Sequence, residues 1–203
     1  MKITDRDIEV MRFINEFGYC GMPEIQKRFG IGKVSGYRLL RRLVKEGYMC
    51  HRRLFFSGHG VYYLSARGAK WTDLPAISHI SFDYYEHQMS LIHVYIRLRQ
   101  LNPNATWMSE RRLKHEKFYD GVGKLGHVSD GILILPDEKQ IAIEVELSLK
   151  GKTRIERIFK QYSTQFSIKE VWYYCPENMV KSLSLLAQRM PFIKIHNIAD
   201  FLA

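Results

Sequence analysis

The chain has 203 residues, room for one or two domains. Hydrophobic residues make up 46% of it, which excludes a disordered chain, and a formal net charge of +10 favours a polyanionic partner, nucleic acid before an anionic membrane surface. Residues 1–80 carry a net charge of +7 and residues 81–203 only +3, so the first part is the expected polyanion binder and the second retains many carboxylates. Cys20, Cys50 and Cys175 fit no zinc spacing and are odd in number, so they are expected to be reduced, buried and inert. No targeting segment opens the chain and no apolar run approaches the ~20 residues that span a bilayer, so the expected location is the cytoplasm.

The first expected helix has Thr4 as its N-cap and Asp5 and Asp7 in its first turn, where the helix dipole favours negative charge. Ile8, Met11, Ile14 and Phe17 recur at helical spacing, and Gly18 ends the helix. A short second helix follows Met22, with Pro23 tolerated in its first turn and Gly30 at its end. The third runs from about Lys33 to Glu46. Leu39, Leu40, Leu43 and Val44 form its apolar face, and Lys33, Ser35, Tyr37, Arg38, Arg41 and Arg42 occupy most of the rest. A helix packed on one face and basic on the other suits the major groove, where Arg pairs with guanine edges and Ser or Tyr reaches phosphate. Residues 49–56 and 61–65 read as strands joined by a tight turn at Ser57-Gly58-His59-Gly60, a wing with Arg52, Arg53 and His59 placed to meet the backbone or minor groove. The whole predicts a winged helix-turn-helix DNA-binding domain over residues 1–75. A solvated basic face on a small helical domain is the plainer alternative.

Residues 66–81 read as a linker or short connecting helix. A long amphipathic helix is expected from Asp83 to Asn102, a strand over 105–113, and a polar mobile loop over 114–127. Gly121-Val122-Gly123-Lys124 lacks the spacing of a phosphate loop. Strands at 128–135 and 140–148 flank a turn at Pro136 to Lys139. A helix (152–166), a strand (170–175), a helix (177–190) and a strand (192–196) complete an α/β (α+β) domain over residues 82–203.

Alternation along the 140–148 strand sends Ile141, Ile143, Val145 and Leu147 to one face and Glu144 and Glu146 to the other. Asp130 on the neighbouring strand joins them if the register matches. Three carboxylates converging suit a hard cation, Mg2+ or Mn2+, which lowers the pKa of bound water, and Lys150 could orient that water. Two glutamates on a wet strand face, partnered by surface lysines, are the equal alternative. Lys150, Lys152, Arg154, Arg157 and Lys160 read either as a DNA-facing edge or as a solvated helix face.

The run from His127 through Asp130 to Glu144 and Glu146 resembles the acidic motif of the PD-(D/E)XK nuclease fold, with Glu146 where that motif has lysine. More widely, His87, Trp107 with Glu110, Asp130, and Glu144 with Glu146 fall in an order that resembles the plasmid replication-relaxation family and related mobilisation relaxases with a restriction-endonuclease-like core. The resemblance implies a winged helix followed by a mixed-sheet nuclease-like domain. It implies divalent-metal-dependent nicking of plasmid or mobile-element DNA, with Asp130, Glu144 and Glu146 as metal ligands and Lys150, His87 and Glu110 beside them. The departure at Glu146 means that Lys150 does the work of the lysine or that the motif is a variant. His87 also reads as an ordinary helix histidine, and Glu110 as a partner of Arg112 or a lysine. The expected partners are double-stranded DNA, other plasmid-processing proteins and a second copy in a homodimer, with no membrane. The alternative function is a non-catalytic DNA-binding regulator of replication or transcription with a degenerate nuclease fold, and an adaptor that binds a protein partner is a third.

Overall fold

The computed structural model describes residues 3–56, 60–119, 127–148 and 151–202. The chain divides into two compact units, Met1–Ile92 and His93–Ala203. Among the described residues no helix is long and apolar enough to cross a membrane.

The first unit is winged-helix-like. Helix α1 (Asp5–Phe17) opens on a capping box: the Asp7 amide donates to the Thr4 hydroxyl (3.3 Å) and the Thr4 amide to the Asp7 carboxylate (3.0 Å). Strand β1 (Tyr19–Gly21) follows at once, then α2 (Met22–Phe29), α3 (Lys33–Lys45), β2 (Met49–Arg52), β3 (Val61–Leu64) and a one-turn helix α4 (Ala66–Ala69). The three strands form an antiparallel sheet in the order β1-β3-β2, with Cys20 opposite Tyr62 and Cys50 opposite Tyr63. Val10, Met11, Ile14, Ile25, Leu40, Leu43 and Val61 are wholly buried and form the core. The chain beyond α4 stays on this unit, because the buried Asn15 amide donates to the Thr72 hydroxyl (2.7 Å) and the Leu74 carbonyl (2.6 Å).

The three-residue strand β1 is absent from the sequence reading, and strand β2 ends at Arg52 rather than at residue 56. Three residues are too few to show an alternating pattern, and β1 is a strand only because β3 returns beside it. The turn residues Ser57, Gly58 and His59 lie outside the described residues. None of the three cysteines forms a disulfide. Cys20 and Cys175 are buried, whereas Cys50 is half-exposed, against the expectation for it.

The unit boundary falls inside α5 (Tyr85–Leu101). The second unit continues with β4 (Thr106–Ser109), α6 (Glu110–Tyr119), β5 (Gly131–Ile134), β6 (Gln140–Val145), α7 (Lys152–Tyr162), β7 (Ile168–Cys175), α8 (Glu177–Ala187), β8 (Ile193–Asn197) and α9 (Ala199–Leu202). The sheet is mixed, in the order β4-β5-β6-β7-β8. The first two pairings are antiparallel and the last two parallel, the latter linked through α7 and α8. The strand expected to reach residue 113 stops at Ser109. Residues 110–119 are helical rather than part of a mobile loop, since the Ser109 hydroxyl accepts the Arg112 amide and starts the turn. Residues 120–126, with the glycine-rich stretch, lie outside the described residues.

Strand β6 is the middle strand, buried from Ile141 through Val145. Its Ala142 face packs with Val171, Tyr173 and Cys175 of β7 under α7 and α8, against Ile155, Phe159, Tyr162, Met179 and Leu183. The Cα of Gly131 on β5 lies against the indole of Trp107, which in turn packs edge-on against Tyr95 at 5.2 Å. A β-carbon at Gly131 would overlap that ring. Gly131→Ala is therefore expected to lose about 1–3 kcal/mol of stability by overpacking. Urea unfolding measures this, and adding Trp107→Leu should restore part of it. An unchanged midpoint in the single variant would contradict the packing described.

Candidate nucleic-acid interface and the carboxylate cluster

Helix α3 has one rotational setting. At about 100° per residue, Gly36, Leu40 and Leu43 fall on one side of the helix, and all three are buried. Gly36 is a close-approach position, where a β-carbon would overlap the terminal methyl of Met22. On a third side, Arg42 forms an ion pair with Asp7, whose side chain is fully buried. Asp7 thus closes the capping box of α1 with one oxygen and holds α3 with the other. Val34, Arg38, Arg41 and Lys45 fall within an arc of about 60° opposite the buried side, and all four are exposed.

Of the groups expected to bind DNA, Lys33, Ser35, Arg38 and Arg41 on α3 and Arg52 and Arg53 after it are exposed. Tyr37 is half-buried with the Arg41 guanidinium 6.0 Å from its ring centre. Arg52 lies over the Phe82 ring at 5.8 Å. His59 lies outside the described residues. Arg42, expected on the DNA face, is instead engaged by Asp7 on α1. Leu39 and Val44 are half-buried rather than core. Between α3 and the β2–β3 hairpin is an open groove of about 500 Å³, lined by Tyr37, Arg41, Lys45, His51, Arg53 and Tyr62 among others. Lys45, His51 and Val34 were not singled out by the sequence. Lys45 lies four residues after Arg41 and was legible from helical spacing, whereas His51 needed the strand register.

In the second unit the alternation on β6 holds. Glu144 and Glu146 lie on the Ala142 side, both buried, and Asp130 is buried one step before β5. That side is not wet, because α7 covers it. The Glu144 carboxylate is 2.5 Å from His127 Nε2 and accepts the Tyr162 hydroxyl from α7, while Glu144 pairs in register with Tyr173. The Asp130 carboxylate accepts the Val145 amide at 2.8 Å, fastening the start of β5 to the end of β6. The Glu146 amide donates to the Tyr174 carbonyl at 2.9 Å.

The electrostatics follow from burial. Glu144 is pushed up to about 6, first by desolvation, with Asp130 adding to the rise and His127 and Tyr162 opposing it. Burial, then Glu144, Glu146 and Asp130, raise the Tyr173 phenol. All three carboxylates therefore act on one tyrosine. Yet among the described residues no group of three or more His, Cys, Asp or Glu side chains is arranged to hold a metal ion. Two of the three carboxylates expected to hold a metal have partners in the fold: a backbone amide on Asp130, and the His127 and Tyr162 side chains on Glu144. Lys150 lies outside the described residues. Glu110 is at the first turn of α6, paired with Lys114 at 2.6 Å, and His87 stacks on Tyr84 at 4.3 Å. Lys152, Arg154, Arg157 and Lys160 form an exposed face of α7.

No family model matches the chain, and no curated protein matches it. Among solved structures the chain is similar to MarR from E. coli. One is a cysteine-to-serine mutant of MarR complexed with operator DNA, with 18% identity over 60% of this chain and 76% of that chain and a TM-score of 0.33. The other is the oxidised form of MarR, with 19% identity over the same shares and a TM-score of 0.32. No family model stands behind the short motifs that suggested a relaxase or a nuclease. The relaxase and restriction-endonuclease-like assignment, and with it metal-dependent nicking, is corrected accordingly.

The raised Glu144 pKa has a signed consequence. The folded chain holds this proton more tightly than the unfolded chain, whose value is near 4.5. The associated stability is complete below that value and is lost as pH rises through about 6. The melting temperature of the wild type relative to Glu144→Gln should therefore fall between pH 4.5 and 7. A difference that does not change with pH would contradict the assignment.

Proposed function

We propose that this chain is a DNA-binding regulator of replication or transcription that acts through its winged helix and does not cleave DNA. The observation that carries this reading is the exposed stripe of Arg38, Arg41 and Lys45 on α3, opposite its buried side and continuous with Arg53 across the α3–hairpin groove. A helix–turn–helix pair places its second helix in the major groove, and the wing adds contacts to the backbone. The cations of α3 then neutralise phosphates or pair with guanine, while the carboxylate cluster of the second unit is a buried, hydrogen-bonded part of its core.

Fluorescence anisotropy with duplex DNA at several salt concentrations tests this. Affinity should fall steeply with salt. Arg41→Ala, if it removes one phosphate contact, should weaken binding and reduce the slope of log K against log salt by about one. Arg42→Ala should instead cost about 1–3 kcal/mol of stability, since it removes a charge-assisted hydrogen bond to a buried carboxylate, with a smaller change in slope. Salt-independent binding, or no duplex binding, would contradict the reading. Supercoiled plasmid incubated with Mg2+ or Mn2+ is expected to stay supercoiled; nicking abolished by Asp130→Asn would contradict the absence of cleavage.

A further inference from the structure

Val34 is 72% exposed at the N-terminal end of α3, at the head of the stripe that continues through Arg38, Arg41 and Lys45. Helix propensity does not explain it, because a β-branched residue is a poorer helix former than alanine or leucine. The core does not explain it either, because Gly36, Leu40 and Leu43 lie on the opposite side. The helix cannot roll to bury it without withdrawing Leu40 and Leu43 from the core and Arg42 from Asp7. What Val34 presents is a stiff pair of methyls, since branching at Cβ restricts its first rotamer.

Residues at the start of a major-groove helix are those that meet base edges. The apolar group on the floor of that groove is the thymine C5 methyl. We infer that Val34 packs against a thymine methyl and fixes a preference for thymine at one position of the bound duplex, with Arg38 reading the groove one turn further along α3. This rests on the DNA-binding reading and adds a specificity-determining residue to it.

The test uses the full chain and a random duplex library. Preferred duplexes are selected, and each thymine is then replaced in turn by deoxyuridine, which differs only by the missing methyl. At one position the replacement should weaken binding about fourfold, the effect of one buried methyl. Val34→Ser should bind the thymine and deoxyuridine duplexes equally. Arg38→Ala should bind both more weakly and keep their ratio. A wild type indifferent to the methyl at every position, or a Val34→Ser protein that still discriminates fourfold, would overturn the inference while leaving DNA binding intact. Duplexes retained without enrichment of any sequence would overturn the inference alone, and retention of no duplex at all would overturn the DNA-binding reading beneath it.

Discussion

The constraint on which the first unit depends is the placement of Asp7. Its side chain is wholly buried, and a buried carboxylate must have its hydrogen bonds supplied by the fold. One oxygen takes the Thr4 amide and the other takes Arg42, so one residue both starts α1 and sets the rotation of α3. With Leu40 and Leu43 packed in the core on one side, the opposite side is committed to solvent. The cations there are an outcome of that phase, and the same phase explains why Arg42, though basic and on the same helix, is used by the fold instead.

In the second unit the governing fact is that β6 is the central strand. Central position pairs both of its edges and α7 covers its Ala142 side, so Glu144 is buried although alternation alone would let it face water. Burial raises its pKa, and the fold answers with His127 and Tyr162. Asp130 is likewise spent on the backbone of Val145. Two of the three carboxylates that look like a metal site in the sequence thus have partners from the chain itself.

Much of this was legible without coordinates, and the failures have physical causes. The amphipathic periods of α1 and α3, the caps of α1 and the hairpin strands follow from local pattern, as does the alternation that pairs Glu144 with Glu146 on one side. Strand β1 was not legible, because three residues carry no period and depend on β3. The helix after Ser109 was hidden by its polarity, since a helix with no apolar stripe reads as loop. The surroundings of Glu144 were not legible because its partners, His127 and Tyr162, come from positions 17 and 18 residues away on other segments. Short acidic motifs specify which residue types lie near one another, and the partners that decide whether those groups are available for chemistry lie elsewhere in the chain.

The central claim is that the exposed side of α3 is the surface that meets DNA. Lysine acetylation footprinting, with and without duplex, tests it most directly, because Lys33 and Lys45 lie at the two ends of that helix and are both exposed. The account predicts that duplex DNA protects Lys33 and Lys45 while Lys169 and Lys181 of the second unit react as before. Protection confined to lysines of the second unit, with Lys33 and Lys45 unchanged, would contradict it.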